Sequence, residues 1–346
     1  MEGLEKAIEQ IKENMPKLDL RENEPMRNHC SFKVGGEVRA FAVPGDLFEM
    51  SKVMFYLHMN GVSPLTLGKC TNVIFPDEGL DIMVISTENL RKLRLGETEN
   101  TIYAEAGVSL AKLAQFARDN GLSGLEFASG IPGSVGGGVL MNAGAYGGEM
   151  KDVVESVVVY YVPTQALTEV KGSDCGFEYR RSAFEKINCA IMGAVFKLTP
   201  DDPEAIGARM KEMNEKRTAS QPLDMPSAGS AFKRPVGGYA AALIDQCGLK
   251  GYTVGGAQIS RKHAGFAVNA GNATYDDVVA LLDHVRREVY AQTQITLEPE
   301  IRIYPKGMML VDDWRERKQT IIDDMLEQAK QNAADSAAES RDVRPS

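Results

Sequence analysis

The sequence predicts an α+β protein built in two main units, and three observations carry that prediction. Between Ser31 and Leu198, short β-rich runs are punctuated by only two helical segments, so strands and helices do not alternate as a regular βαβ fold requires. Near Pro200 the texture changes to longer polar or amphipathic helices. A chain of 346 residues, 43% of them hydrophobic, is also large enough to bury more than one core.

In chain order, residues 1 to 20 read as an amphipathic helix with Leu4, Ile8, Ile11 and Met15 on one face, ended by Pro16. The runs "RAFAVP", "DIMVIS", "NTIYAEAG", "ESVVVYYV" and "CAIMGAVFKL" read as strands. Between them, "DLFEMSKVMFYLHMNG" opens with Asp46 and Glu49 placed as a capping pair and stops at Gly61, and "SLAKLAQFARDNG" runs from Ser109 to Gly121. Beyond Pro200 come a polar helix "DDPEAIGARMKEMNEKRTAS", a loop, a helix around "YAAALIDQCG" and two short strands. A longer helix follows, "TYDDVVALLDHVRREVYAQTQ", which opens with Thr274 and Asp277 as a capping pair. A final strand, "ITLEPEIRIY", closes the second unit. After Pro305 lie Trp314, the only tryptophan, and "AADSAAESRDVRPS", whose small polar residues bury too little area to stay ordered.

Composition narrows the function classes. The N-terminal stretch mixes charges with apolar residues and lacks the apolar core of an export signal, and no apolar run reaches membrane-spanning length. Cys30, Cys70, Cys175, Cys189 and Cys247 are odd in number and scattered, with no CxxC pair, so neither a disulfide framework nor a zinc site is expected and a reducing cytosol fits. A net charge of -9 argues against a general nucleic-acid binder but leaves room for a local basic pocket holding a small anion.

The stretch "GLEFASGIPGSVGGGVLMNAGAYGGEM" is the most unusual. Gly130, Gly133, Gly136 and Gly137 recur around Pro132 and Ser134, so backbone N–H groups can converge on one point without Cβ obstruction, as an anion such as pyrophosphate requires. A lone loop of this kind is more often a set of tight turns. A second loop, "LTLGKCTNVIFPD", adds Gly68 beside Thr71 and Asn72, and two such loops favour a dinucleotide. No strand leads into G-x-G-x-x-G and a helix, so the site is not a Rossmann fingerprint.

The ordered motifs "HCSFKVGG", "LGKCTNVIFPD", "GIPGSVGGGVLMNAGAYGGE", "YRRSAF", "PSAGSAFKRPVGG", "GAQISRKHAGFAVNAGNAT" and "LEPEIRI" resemble the UDP-N-acetylenolpyruvoylglucosamine reductase family over roughly residues 25 to 305. The compact connection between "VVVYYV" and "YRRSAF" is similar to the shorter of that family's two types, which lacks an extra substrate-covering loop. The resemblance implies an N-terminal helical segment (1–24) and an FAD-binding domain of the vanillyl-alcohol-oxidase type with two subdomains (25–200). An α+β substrate-binding domain (201–306) and a C-terminal extension (307–346), disordered at its end, follow. It implies non-covalent FAD held by Gly68, Lys69, Cys70, Thr71, Asn72, Gly130, Ile131, Pro132, Gly133, Ser134, Gly136, Gly137, Asn142 and Gly144, with no metal. It further implies a cytoplasmic monomer in peptidoglycan synthesis, and so in cell shape and division, with NADPH and UDP-N-acetylenolpyruvoylglucosamine as partners and neither nucleic acid nor membrane.

In that family's chemistry NADPH reduces FAD, and hydride then passes from flavin N5 to C3 of the enolpyruvyl ether, leaving negative charge at C2 and the carboxylate that must be met. Arg180 matches the family's catalytic arginine, and its planar fork suits a carboxylate gaining enolate character; Arg181 beside it reads as a solvated charge. Ser230 matches the residue that protonates C2, and Glu300 the acidic third member. In an extended strand Glu298 shares a face with Glu300 and is its rival, while Pro299 suggests an edge. Arg217, Gln221, Lys233, Arg234, Lys262 and His263 match substrate-contacting segments; His58 and His284 are assigned no role. The chain departs from the common pattern at Arg234 (often Asn), at Cys70 and Thr71 (smaller or Ser residues) and at Cys30 (often Thr), and His29 beside Cys30 is common to members with non-covalent FAD. Two other readings stay open. A flavin oxidoreductase of the same fold, such as a sugar-lactone oxidase, lacks the Ser230 and Glu300 motifs, and an inactive nucleotide-sugar binding protein has no need of the intact Arg180, Ser230 and Glu300 set.

Overall fold

The run "DIMVIS" is apolar at both parities, and in the computed structural model, which describes residues 2–308, it becomes the strand Leu80–Ser86 with both faces covered. Ile82 and Val84 pack with Phe41 and Phe75, whereas Met83 and Ile85 face two helices, α1 (Glu2–Asn14) and α2 (Leu47–Met59). The sheet runs Asp19–Pro25, Glu37–Val43, Leu80–Ser86, Leu65–Leu67, antiparallel at its first pair and parallel at the other two. The first helix is shorter than the 20 residues expected. It buries Leu4, Ala7, Ile8 and Ile11 and ends before Pro16, and Asp19–Pro25 turns into an edge strand. "DLRENEP" has no apolar alternation, so its pairing to Glu37–Val43 is a backbone ladder that side-chain periodicity does not reveal. In α2 the Asp46 carboxylate accepts the Glu49 N–H at 2.8 Å as expected, but Glu49 turns to the Gly45 N–H at 2.8 Å, so the reciprocal box does not close.

A second sheet, wholly antiparallel, runs Ala166–Lys171, Val154–Tyr161, Cys189–Lys197, Thr101–Glu105, Leu93–Leu95. Tyr160 and Met192 face the helices of the first unit, while Ile102, Ala194 and Phe196 pack beneath α3 (Leu110–Asp119), α4 (Val135–Leu140) and α5 (Pro203–Ser220). Here the texture change at Pro200 misleads. Ile206 and Met210 place α5 in this core rather than with the segments after it, and Arg209 clasps Glu126 at 2.7 Å and Asp201 at 2.5 Å.

The third core gathers a four-stranded antiparallel sheet where the sequence suggested two strands: Ser227–Ser230, Phe266–Asn269, Ala257–Ile259, Thr253–Val254. It is covered by α6 (Ala240–Gln246) and α7 (Tyr275–Thr293), the latter with the expected reciprocal box between Thr274 and Asp277. The run "ITLEPEIRIY" closes this unit only in part: Leu297 and Ile301 pack in its core, the Lys233 N–H donates to the Glu298 carbonyl at 2.8 Å, and the Glu300 N–H donates to the Ala231 carbonyl at 2.9 Å. Only Arg302–Ile303 is regular strand, and it pairs in parallel with Val73–Ile74 of the first unit, so the chain returns to the glycine loop after Asn72. Trp314 and the end expected to be disordered lie outside the described residues.

Candidate active site

Where the three cores meet, a cleft of about 370 Å³ opens, walled by both glycine loops, the strand Ser227–Ser230 and the returning segment 300–304. The loops approach as closely as a missing side chain allows. A Cβ on Gly68 would lie 2.0 Å from Ser134 Oγ, and one on Gly136 would lie 3.0 Å from the Ala106 Cβ. The Gly136 N–H is spent on the Ala106 carbonyl at 2.9 Å, while Gly133 and Gly137 line the cleft. Among the described residues only two buried side-chain polar atoms lack a hydrogen-bond partner, Ser134 Oγ and Gln221 Oε1, and both residues line this cleft. Buried polar groups are nearly always satisfied, so these two mark where a polar ligand belongs. A bare, uncharged loop wall with an orphaned hydroxyl fits a dinucleotide held by backbone amides.

Arg180 sits at the cleft in the left-handed region, φ 57°, a conformation that costs a non-glycine residue about 1–3 kcal/mol and persists only where surroundings enforce it. They do so here. Its Nε donates to Glu300 Oε1 at 2.8 Å, a terminal nitrogen donates to the Gly144 carbonyl at 3.0 Å, and the guanidinium carbon lies 4.9 Å from the Tyr179 ring centroid. Burial pushes the Glu300 carboxyl above its ordinary range, and the guanidinium beside it offsets this only in part. Ser230 pairs with Phe266 after Gly229 (φ 75°) breaks the ladder register, and its hydroxyl has no hydrogen-bond partner among the described residues. Arg217 is half-buried on the cleft wall with no carboxylate partner among the described residues, and burial lowers its pKa.

Lys69, Cys70, Thr71, Asn72, Ile131, Pro132 and Gly144 also line the cleft. Six of the residues expected at the site stand outside its lining. Gly130 makes room for α5, since a Cβ there would lie 2.5 Å from Asn214 Oδ1. Asn142 is fully buried, donating to Glu149 at 2.8 Å and to the Glu178 carbonyl at 2.9 Å and accepting the Lys151 N–H at 2.9 Å. Lys233 pairs with Glu298 at 2.5 Å, and the Arg234 guanidinium lies 4.0 Å from the Tyr239 ring centroid. Lys262 donates to the Thr218 carbonyl at 2.7 Å; His263 Nδ1 accepts the Gly265 N–H at 3.1 Å, and burial holds its ring below the usual histidine pKa. Glu298, the rival carboxylate, is exposed and reaches only Lys233 and Arg181. Parity alone therefore does not place it, because only the single bridge Phe232–Pro299 lies between the two carboxylates and regular pairing starts later, at Arg302. Parity does hold afterwards. Glu300, Arg302 and Tyr304 all line the cleft, and the last two were found only here, although alternation from Glu300 points to them.

Two sheets joined at a cleft of bare loops, with a third α+β unit completing the wall, define a flavin-binding oxidoreductase, and a model of the FAD binding domain matches residues 38–165. A model of the UDP-N-acetylenolpyruvoylglucosamine reductase C-terminal domain matches residues 221–304. The chain is 42% identical over 296 residues to the UDP-N-acetylenolpyruvoylglucosamine reductase of Caldanaerobacter subterraneus subsp. tengcongensis, covering 86% of this chain and 97% of that one. It is 41% identical over 289 residues to that of Syntrophomonas wolfei, covering 84% and 96%. The crystal structure of the reductase from Thermus caldophilus superposes with a TM-score of 0.71 at 33% identity, covering 84% of this chain and 99% of the other. The chain belongs to the UDP-N-acetylenolpyruvoylglucosamine reductase family.

Proposed function

We propose that this chain reduces the enolpyruvyl ether of UDP-N-acetylenolpyruvoylglucosamine to the lactyl ether of UDP-N-acetylmuramate, with FAD bound non-covalently in the cleft and NADPH as hydride donor. Bound FAD supplies the two-electron chemistry that links the two substrates. The chain's own groups do the rest. Gly68, Thr71, Asn72, Gly133, Ser134 and Gly137 cradle the cofactor, and the orphaned Ser134 hydroxyl supports this. Arg180 meets the negative charge that develops on the substrate carboxylate; Glu300 and Gly144 take two of its five donors, so the fork is fixed in orientation while others remain free. Ser230 delivers the proton to C2. The observation that carries the reading is the meeting, in one glycine-walled cleft, of a buried Arg180–Glu300 pair with a hydroxyl that no protein group occupies.

Arg217 and Gln221 are the proposed contacts for the nucleotide part, supported by an uncompensated half-buried cation and an orphaned carbonyl. Lys233 and Arg234 reach the ligand only by leaving Glu298 and Tyr239, and Lys262 acts through the last turn of α5, with His263 beside it in sequence. The enzyme works as a cytoplasmic monomer for cell-wall synthesis, without nucleic acid or membrane. A net charge of -9 argues against a nucleic-acid partner, and no described helix is long and apolar enough to cross a membrane. Visible spectra test the function: the purified protein is yellow, NADPH bleaches it, and UDP-N-acetylenolpyruvoylglucosamine restores the colour. A colourless protein, or bleached flavin that this substrate does not reoxidise, overturns the reading.

A further inference from the structure

Cys30 and Cys70 meet behind the first glycine loop. Cys30 is fully buried, Cys70 borders the cleft, and both belong to one packed cluster of side chains. The backbones are already tied, since the Ser31 N–H donates to the Cys70 carbonyl at 3.2 Å. Cys70 holds φ 49°, a left-handed conformation disfavoured for any residue with a Cβ, and its thiol lies 3.5 Å from the Gly68 carbonyl. Met26, Phe75 and Tyr304 pack around the pair, and no step proposed above uses either sulfur. A strained, non-glycine residue on a cavity wall, with a second cysteine packed behind it, calls for a chemical reason.

We propose that Cys30 and Cys70 form an oxidative modification site, at which a hydroperoxide entering the open cleft converts the pair into an intramolecular disulfide tying the first glycine loop to the turn at Met26–Asn28. Cys70, on the cleft wall, attacks first: its sulfur bonds to one peroxide oxygen, the O–O bond breaks, and the other oxygen leaves with the thiol proton as water or alcohol. Cys30 then attacks the sulfenic sulfur. The S–S bond forms, the S–O bond breaks, and hydroxide leaves with the Cys30 proton as water. Two thiols lose two electrons and two protons to the peroxide. Cys30 is the resolving partner because it is fully buried and stands outside the cleft lining, so peroxide meets Cys70 first. Bound FAD covers Cys70 and slows the reaction, a point that rests on the flavin reading of the cleft.

The test uses the full chain, with and without FAD, treated with hydrogen peroxide, alkylated, digested with trypsin and weighed. The expected product joins the peptide Asn28–Lys33 to Cys70–Arg91 with the loss of two hydrogens, forms more slowly when FAD is present, and reverts with dithiothreitol. Cys30→Ser and Cys30→Thr abolish it while keeping flavin and turnover. Oxidation that stops on Cys70 with Cys30 still alkylated, or a cross-link to Cys175, Cys189 or Cys247 instead, overturns the pairing. Equal rates with and without FAD overturn attack through the cleft. The cross-link, its rate and its reversal are read by mass without turnover, so failure here is distinct from failure of the proposed function.

Discussion

At the scale of the residue, the role proposed for Ser230 belongs only to the step after substrate arrives. Nothing in flavin reduction by NADPH needs a proton at C2, whereas charge left on the substrate collapses only when that proton comes. Ser230→Ala is therefore expected to reduce its flavin at a near-normal rate in stopped flow yet to reoxidise at least about 100-fold more slowly, roughly 2.7 kcal/mol. Equal slowing of both steps would make the serine structural. Glu300 is tested by pH. Its carboxyl is raised above 4.5, burial outweighing Arg180, so the folded protein binds that proton more tightly than the unfolded chain. The stability it contributes is full below 4.5 and is lost as pH rises through the raised value. The urea midpoint of the wild type relative to Glu300→Gln is expected to fall between about pH 4 and about pH 7; a rise would mean that the ion pair, not burial, dominates. Arg180, Ser230 and Glu300 were all legible in the motif order. Gly130 and Asn142 were not, because a sequence shows which residue is small or amide-bearing but not that Asn214 needs the space or that Glu149 takes the amide.

At the scale of the element, what could be read was what closes locally. The box at the start of α7 has both partners within four residues: the Thr274 hydroxyl accepts the Asp277 N–H at 3.1 Å, and Asp277 accepts the Thr274 N–H at 2.9 Å and the Gly256 N–H at 3.1 Å. Thr274→Ala is expected to cost about 0.5–2 kcal/mol in urea unfolding, with Thr274→Ser near wild type. A cost under about 0.3 kcal/mol would show that the anchor of the Tyr275 N–H on Asp77, at 2.6 Å, suffices alone. Elements whose partner lies far along the chain escaped. The strand Asp19–Pro25 carries no apolar alternation because its backbone ladder and charge pairs such as Glu22 with Arg39, 3.0 Å apart, hold it, and residues 295–300 are paired in a bridge only at Phe232–Pro299. The same physics explains α5, whose polar surface hides two anchors, Ile206 and Met210, in the core of the preceding unit.

At the scale of the molecule, the change of texture near Pro200 showed that there is more than one unit but set the boundary on the wrong side of α5, and the seam that makes the site was not legible. Asn72 is that seam. Its side-chain amide donates to the Glu300 carbonyl at 3.1 Å, and its own carbonyl accepts the Arg302 N–H at 3.0 Å, so the loop that walls the flavin side carries the segment that aims the buried carboxylate. A short parallel pairing of Val73–Ile74 with Arg302–Ile303 continues the same line. Asn72→Ala leaves the backbone bonds in place and removes one donor from a part-buried carbonyl, a loss of about 1–3 kcal/mol. If the seam couples the two halves of the reaction, the variant keeps its flavin reducible by NADPH but reoxidises at least about tenfold more slowly, roughly 1.4 kcal/mol, because Glu300 and with it Arg180 lose their register against Ser230. The choice of readout separates the roles. A variant that loses FAD while its remaining holoenzyme reoxidises normally would make Asn72 a cofactor contact alone, and one that unfolds earlier with both half-reactions intact would make it a brace.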